Sequence, residues 1–156
     1  MSGRQAPQTL QMERQTAVAS GVVSELPESS ALRLAKARTS VTVTAPGATV
    51  LWRIALAGII EHSADAGSTW TVQATGVIND LTAGSAPSDK VCWVVGRTGT
   101  ILRTTDGGEH WLRVRAPIED DLTAVFAIDA QQATVSSHRT YKTSDAGVTW
   151  ALLPIP

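Results

Sequence analysis

Three copies of one phrase decide the fold of this chain: Ser-Ala-Asp-Ala-Gly-Ser-Thr-Trp at 63–70, Thr-Thr-Asp-Gly-Gly-Glu-His-Trp at 104–111 and Thr-Ser-Asp-Ala-Gly-Val-Thr-Trp at 143–150. They share the pattern Ser/Thr-x-Asp-x-Gly-x-x-Trp, and their first residues are 41 and 39 positions apart. Recurrence at such a period is typical of repeat architectures, in which each copy is one supersecondary unit. Residues that recur with the repeat are explained first by the repeat, which argues against a catalytic role for them.

Each copy predicts the tight turn of a β-hairpin. Aspartate in such a turn accepts hydrogen bonds from the backbone N–H groups that follow it, and glycine two positions later adopts a positive φ without steric cost. The tryptophan then enters the next strand and covers the turn with a large apolar face. Metal binding is the lesser alternative, because each turn offers a single carboxylate. We expect structural roles at these positions: Asp65, Gly67, Trp70, Asp106, Gly108, Trp111, Asp145, Gly147 and Trp150.

The repeat extends beyond this phrase. A shift of 41 residues overlays the first unit on the second without a gap and places Trp52 on Trp93. The third unit is two residues shorter, and Val135 is expected where the others carry this tryptophan. Terminal repeats are often atypical because they cap the stack. The predicted domain spans 40–156, with units at 40–80, 81–121 and 122–156.

The pattern predicts four short strands in each unit, which in the middle unit lie at 81–86, 91–96, 100–105 and 110–115. Turn residues separate runs of β-branched and aromatic residues at intervals of about 8–12 residues, which favours an all-β fold. Four strands in about 40 residues is the size of a propeller blade. The second strand is continuously apolar and should be buried on both faces, whereas the fourth alternates and should lie nearer the outside. We predict three four-stranded blades of the β-propeller type.

The repeated phrase resembles the Asp-box, also called the bacterial neuraminidase repeat. The stretch at 94–111, Val-Val-Gly-Arg-Thr-Gly-Thr-Ile-Leu-Arg-Thr-Thr-Asp-Gly-Gly-Glu-His-Trp, is similar to a blade of the photosystem II stability/assembly factor-like propellers, and the resemblance covers 40–156. It implies a β-propeller without enzymatic activity or cofactor that binds another protein as an assembly scaffold.

Basic residues concentrate in the second and third units: Arg97, Arg103, Arg113, Arg115, Arg139 and Lys142. The resemblance implies that an arginine-rich patch between blades helps to bind a client polypeptide, and Arg97 and Arg103 fall within the matching stretch. Arginine can engage a carboxylate through two parallel hydrogen bonds. Arg97 and Arg103 are therefore candidate protein-binding residues, and the alternative is that they are solvated positions on outer strands.

Sialidases also carry Asp-boxes, and a resemblance to them would require an arginine triad, a tyrosine nucleophile with a glutamate partner, and an aspartate acid/base. This chain has one tyrosine, Tyr141, at the third-strand position equivalent to Leu102. That position is a structural one, and the chain has half the blades of a sialidase. We therefore expect no glycosidase activity.

A looser resemblance gives an alternative function. The stretch at 45–53, Ala-Pro-Gly-Ala-Thr-Val-Leu-Trp-Arg, is similar to the C-terminal region of some bacterial membrane-bound anti-sigma-like proteins. It implies an extracytoplasmic sensory or carbohydrate-binding domain of a membrane-anchored regulator. Family resemblance slightly favours an extracytoplasmic location.

Three blades raise the question of closure. Propellers usually close with four to eight blades, and an open three-blade stack would expose apolar faces at both ends. Three arrangements answer it: the chain is cut from a longer propeller, two chains form a six-bladed ring as a homodimer, or the N-terminal segment covers an open face. We favour assembly of whole blades, because the chain ends just after the last strand of the third unit.

The N-terminal segment at 1–39 differs in composition from the repeats. It is polar and rich in glutamine at its start, with few large apolar residues, which predicts a flexible linker. A short helix is expected at 29–38. The segment has no signal-peptide pattern, and no stretch of the chain approaches 18 apolar residues, so we expect no membrane span.

The remaining composition excludes several classes of function. Charged residues make up 17% of the chain and its net charge is −1, which argues against a nucleic-acid binder. Cys92 lies in the apolar second strand and is expected to be a structural thiol. The histidines His62, His110 and His138 occupy different repeat positions, so no zinc site is expected. The acidic stretch at 119–121 is expected to be a solvated loop. Asp106, Glu109 and His110 resemble a ligand cluster, but Asp106 is committed to its turn.

Overall fold

The computed structural model describes residues 40–154, which form three four-stranded antiparallel sheets. In each sheet every hydrogen-bonded neighbour is also the next strand along the chain. The first sheet contains β1 (Val41–Thr44), β2 (Leu51–Ile54), β3 (Ile60–Ser63) and β4 (Thr71–Gln73). The second contains β5 (Leu81–Ser85), β6 (Cys92–Gly96), β7 (Ile101–Thr104) and β8 (Leu112–Arg113). The third contains β9 (Ala124–Ala127), β10 (Ala133–Ser136), β11 (Thr140–Thr143) and β12 (Ala151–Leu152).

The predicted architecture of three four-stranded blades is confirmed. Short 3₁₀ turns at Leu56–Gly58 and Arg97–Gly99 follow the second strands of the first two sheets. No helix within residues 40–154 is long and apolar enough to cross a membrane. The linker expected at 1–39 and the helix expected at 29–38 lie outside the described residues.

The outer strand of the middle sheet is shorter than expected. The sequence predicts a strand at 110–115, whereas β8 spans Leu112–Arg113. His110 stays in the turn because its backbone N–H donates to Asp106 Oδ1 at 3.0 Å instead of to a neighbouring strand. The aspartate therefore sets where the fourth strand begins.

Two apolar layers lie between the three sheets. We call the face of a sheet that is turned toward the next sheet along the chain its forward face, and we call the opposite face its rear face. The first layer contains these fully buried residues: Trp52, Ile54, Ile60, Cys92, Val94 and Leu102. The second layer contains Trp93, Val95, Ile101, Leu122 and Val135. Strand β6 contributes alternate residues to both layers and is buried along its whole length, as its apolar run predicted. Each buried tryptophan contributes about 4–6 kcal/mol of apolar transfer free energy.

The register of the third sheet corrects one expected equivalence. In the first two sheets the tryptophan of the second strand lies opposite the next-to-last residue of the third strand. In the third sheet this position belongs to Thr134, opposite Lys142, and not to Val135. Val135 is buried in the second apolar layer, on the rear face. Neighbouring strand residues point to opposite faces, so an error of one position exchanges the two faces.

In the first two units, the turn between the second and third strands is closed by the aspartate that ends the unit, just before the first strand of the next blade. Ala57 and Thr98 adopt positive φ angles of 60° and 55° in the turns between second and third strands. Asp80 Oδ1 accepts the N–H of Ala57 at 2.8 Å, and Asp121 Oδ1 accepts the N–H of Thr98 at 2.9 Å. Asp121 is exposed, as expected for the acidic loop, but its carboxylate also closes the turn at Thr98 of the same unit.

Candidate functional site

The three Asp-box turns are closed by the same set of hydrogen bonds. In the first turn the hydroxyl of Ser63 donates to Asp65 Oδ1 at 2.8 Å and accepts the N–H of Gly67 at 2.8 Å. The N–H of Thr69 donates to the same Oδ1 at 2.9 Å, and its hydroxyl donates to Oδ2 at 2.6 Å. The other two turns repeat the pattern, with His110 in place of the threonine in the second. Both oxygens of each carboxylate are thus engaged inside the turn.

These donors stabilise the ionised form of the aspartates. The hydroxyl and backbone N–H of Thr69 hold the pKa of Asp65 at about 2, and the equivalent threonine does so for Asp145. The backbone N–H and the ring of His110 lower the pKa of Asp106 well below its ordinary value. A carboxylate that stays ionised at neutral pH is a poor proton donor, so these three aspartates are not suited to act as a general acid.

The glycine and the tryptophan of the second Asp-box also contact the preceding blade. A Cβ atom on Gly108 would overlap the side chain of Gln73, which belongs to β4 of the first sheet. Gln73 Nε2 donates to the carbonyl of Gly107 at 3.1 Å, and its Oε1 accepts the Nε1–H of Trp111 at 3.0 Å. Nothing in the repeated phrase marks Gln73, whose partners lie 34 and 38 residues away.

The third Asp-box also contacts the blade that precedes it, but through an apolar side chain and a backbone carbonyl instead of a glutamine. A methyl group of Val114 fills the space beside Gly147, so that a Cβ atom there would overlap it. The indole Nε1–H of Trp150 donates to the carbonyl of Arg115 at 2.9 Å. In the first turn Trp70 instead donates to a carbonyl of its own turn at 3.0 Å. The glycines of the second and third boxes are therefore fixed both by their backbone conformation and by a neighbouring blade.

Three side chains of the second Asp-box lie close enough to share a cation. Ligand atoms of Asp106, Glu109 and His110 lie within 4.8 Å of one another. His110 Nδ1 is 2.6 Å from Asp106 Oδ2, and this bond raises the pKa of His110. Because the oxygens of Asp106 already accept three hydrogen bonds in the turn, the cluster is explained by the turn itself. We assign no metal to it.

The two candidate arginines do not come together. Arg97 is exposed in the turn before β7, and its Nε lies 3.7 Å from Asp80 Oδ2. Arg103 lies near the other end of β7, where its guanidinium donates to the carbonyl of Ala130 at 3.0 Å and sits 5.7 Å from the ring centre of Trp93. Arg103 thus joins the second blade to the third, and Arg97 alone of the pair presents its charge to solvent.

A groove runs along the outer edge of the second and third blades, and we call it the outer groove. It consists of two adjoining cavities, of about 590 Å³ and 410 Å³, which share Arg115, Ala116 and Pro117. The first cavity extends to Thr98, next to Arg97, and the second is lined by Tyr141, Trp150 and other residues of the third blade. The characteristic lining residues are Arg113, Arg115, Pro117, Tyr141, Val148 and Leu152.

The outer groove combines exposed apolar surface with positive charge. Val148 is 77% exposed and Leu152 is 47% exposed. Among residues 40–154 no carboxylate forms an ion pair with Arg113 or Arg115. Glu119 is the single carboxylate among the described lining residues. The groove therefore favours a ligand that has both apolar and carboxylate groups.

The outer groove could not be recognised from the repeat pattern, although one signal was present. Arg113 and Arg115 were among the basic residues that concentrate in the second and third units. Both are exposed and flank the buried Val114, which places them on the solvent side of the segment that contains β8. The apolar half of the groove comes from the third blade, and only the fold brings it beside these arginines.

Comparison with protein families gives one match over most of the described chain. The sequence model of the family described as "Photosynthesis system II assembly factor YCF48" matches residues 52–153. No curated protein sequence matches the chain at a significant level.

Solved structures share the fold. "YCF48 bound to D1 peptide" is 20% identical, with a TM-score of 0.66 over 74% of this chain and 39% of that one. YCF48 from Cyanidioschyzon merolae is 27% identical, with a TM-score of 0.62 over 73% of this chain and 37% of that one. An ancestral GH74 enzyme is 12% identical, with a TM-score of 0.58 over 74% of this chain and 18% of that one, which shows the fold alone. The chain spans less than two fifths of the length of either YCF48 structure.

Proposed function

Because the chain belongs to the family of the photosynthesis system II assembly factor YCF48, we propose that it is a non-enzymatic β-propeller module that binds a segment of another protein. Family membership carries the proposal, and a structure of one similar protein with a bound D1 peptide supports it. Absence of catalysis is supported by the Asp-box carboxylates, which are engaged in their turns, and by Tyr141, which packs against the second apolar layer.

We place the contact in the outer groove. Its length, across two adjoining cavities, suits an extended peptide rather than a single small molecule. Arg113 and Arg115 can bind carboxylates of such a peptide through paired hydrogen bonds. Val148 and Leu152 can cover its apolar side chains. Of the two arginines proposed from the sequence, neither lines this groove: Arg97 only precedes the lining residue Thr98, and Arg103 supports the joint between blades.

The test measures fluorescence anisotropy of two labelled probes, a D1 peptide and a glutamate-rich decapeptide that contains leucine. The full chain should bind at least one of them, with affinity that falls as salt rises. The double variant Arg113→Glu and Arg115→Glu should weaken binding at least tenfold, because it reverses two charges in the groove. Lys90→Glu with Lys142→Glu, which also reverses two exposed charges but lies outside the groove, is the matched control and should leave binding unchanged.

Three results would count against the proposal in different ways. Equal loss of binding in both variants, or in neither, would remove the outer groove as the contact. Binding to a glycan array without binding to any polypeptide would favour the alternative, a carbohydrate-binding or sensory domain of a membrane-anchored regulator. Turnover of an aryl glycoside would contradict the non-enzymatic assignment.

A further inference from the structure

The forward faces of the first two sheets are built from the same apolar set. The first sheet carries Trp52 together with the cross-strand pair of Ile54 and Ile60, and all three are fully buried. The second sheet carries Trp93 together with the pair of Val95 and Ile101, also fully buried. Each set packs against the rear face of the next sheet.

The forward face of the third sheet carries hydroxyl groups at the same positions. Register places Thr134 at the tryptophan position and pairs Ser136 with Thr140 where the other sheets have two aliphatic residues. The hydroxyl oxygens of Ser136 and Thr140 lie 3.2 Å apart, so the pair forms its own hydrogen bond. Phe126, opposite Thr134 on the same face, remains 65% exposed. A single exposed aromatic residue is ordinary for a protein surface.

The change is confined to one face of the third sheet. Its rear face keeps the apolar pattern, with Ala133 2% exposed and Val135 fully buried in the second layer. The indole donor that joins the second sheet to the third also has no counterpart here, although Trp52 Nε1 at the first joint is itself buried without a hydrogen-bond partner among residues 40–154. Trp93 donates its indole N–H to the carbonyl of Asp129 in the next blade at 3.0 Å, and Thr134 has no such group. A polar outer face opposite an apolar inner one is what a terminal cap of a repeat stack requires.

We infer that the third sheet ends the blade stack, so that neither a further blade nor the first sheet of a second copy packs on its forward face in the way that the sheets pack inside this chain. This answers the question of closure for one end of the molecule. A six-bladed ring of two chains would need this face as one of its apolar joints, and the face lacks the residues for it.

Size-exclusion chromatography with light scattering provides the test, across a range of concentrations of the full chain. The chain should keep the mass of one copy, near 16.4 kDa. The triple variant Thr134→Trp, Ser136→Val and Thr140→Ile installs the forward face of the second sheet and should associate through it. The matched variant Thr134→Ser, Ser136→Thr and Thr140→Ser keeps the hydroxyls and should remain at the mass of one copy. A wild-type dimer that Ser136→Lys dissociates, or a folded triple variant that stays at the mass of one copy, would overturn the inference.

Thermal unfolding gives a second readout that does not depend on the triple variant. Ser136→Lys should shift Tm by less than about 3 °C, because lysine at a solvent-facing position is tolerated. Val95→Lys makes the same change at the equivalent position of the second sheet, where the side chain is fully buried, and should abolish cooperative unfolding. Comparable losses in the two variants would show that the third forward face is packed and would overturn the inference.

Discussion

At the scale of single residues, two separate requirements act on the Asp-box glycines: a positive φ angle and, in some turns, the space that a neighbouring blade occupies. Gly67 and Gly147 occupy the same position of their turns, with φ angles of +93° and +88°. A side chain at Gly67 would meet Leu51 at an ordinary contact distance of 3.4 Å, whereas one at Gly147 would overlap Val114 of the preceding blade. Comparing substitutions at Gly67 and Gly147 therefore separates the free-energy cost of the left-handed backbone conformation from the cost of overlap with the preceding blade.

Gly67→Ala and Gly147→Ala should consequently destabilise the fold by different amounts. Gly67→Ala is expected to lower the free energy of unfolding by about 1–2 kcal/mol, through left-handed strain alone. Gly147→Ala should add about 1–3 kcal/mol for overpacking against Val114. Urea denaturation of both variants measures the difference. Equal losses would mean that the joint yields to a methyl group at no cost.

His110 should give the second Asp-box a pH dependence near neutrality that the threonines at the same position of the other two cannot supply. Its bond to Asp106 raises its pKa above the ordinary 6.5. A group whose pKa is raised by folding stabilises the fold when charged, so the contribution is complete below about pH 6.5 and is lost as pH rises through the raised value. Asp106 stays ionised throughout this range, because its own pKa is lowered.

His110→Thr, which copies the other two turns, should therefore remove one source of pH dependence. The wild-type chain should gain more free energy of unfolding between about pH 8.5 and pH 5.5 than the variant does. Urea titrations of both proteins at the two pH values give the comparison, and the remaining histidines contribute equally to each. The same gain in both proteins would show that the charged ring adds nothing to the turn.

At the scale of strands and sheets, the tryptophan position of the second strand differs in importance between blades. Trp93→Ala should lower the free energy of unfolding by about 3–5 kcal/mol, because it opens a cavity between the second and third sheets. Thr134→Ala, at the same register position of the last sheet, should cost less than about 0.5 kcal/mol if that side faces solvent. Chemical denaturation of the two variants provides the measurement. A large loss at Thr134 would indicate a packed surface there.

At this scale, contacts between residues close together in the sequence could be predicted, and contacts between residues far apart in the sequence could not. The hairpins followed from the sequence because the bonds of Asp65 reach no further than Thr69, four positions away. Gln73 could not be recognised, because its contact with Trp111 spans 38 residues and the next repeat has Val114 in its place. Thr134 was misplaced by one position, because strand alternation shows which residues share a face but not which face is buried.

At the scale of the whole molecule, the repeat established the architecture and left the binding surface open. The period of the Asp-boxes predicted three blades because each blade is completed within its own unit. The outer groove, by contrast, combines arginines of one unit with apolar residues of the next. The sequence of a single unit contains only part of the residues that line the outer groove, and so it does not indicate a binding site. Arg103 illustrates the same limit, since its partner Ala130 lies 27 residues away in the next blade.

The contacts between blades also determine which in-frame duplications and deletions of whole units the fold can accept. The rear face of the second sheet fits the forward face of the first, and its own forward face fits the rear face of the third. An in-frame duplication of 81–121 would therefore supply a new blade that matches both neighbours, with the hydroxyl-bearing sheet still last. Deletion of that segment would bring the first forward face against the third rear face, which is also an apolar pairing. Recombination at the unit boundaries can thus lengthen or shorten the stack while its terminal blade is inherited unchanged.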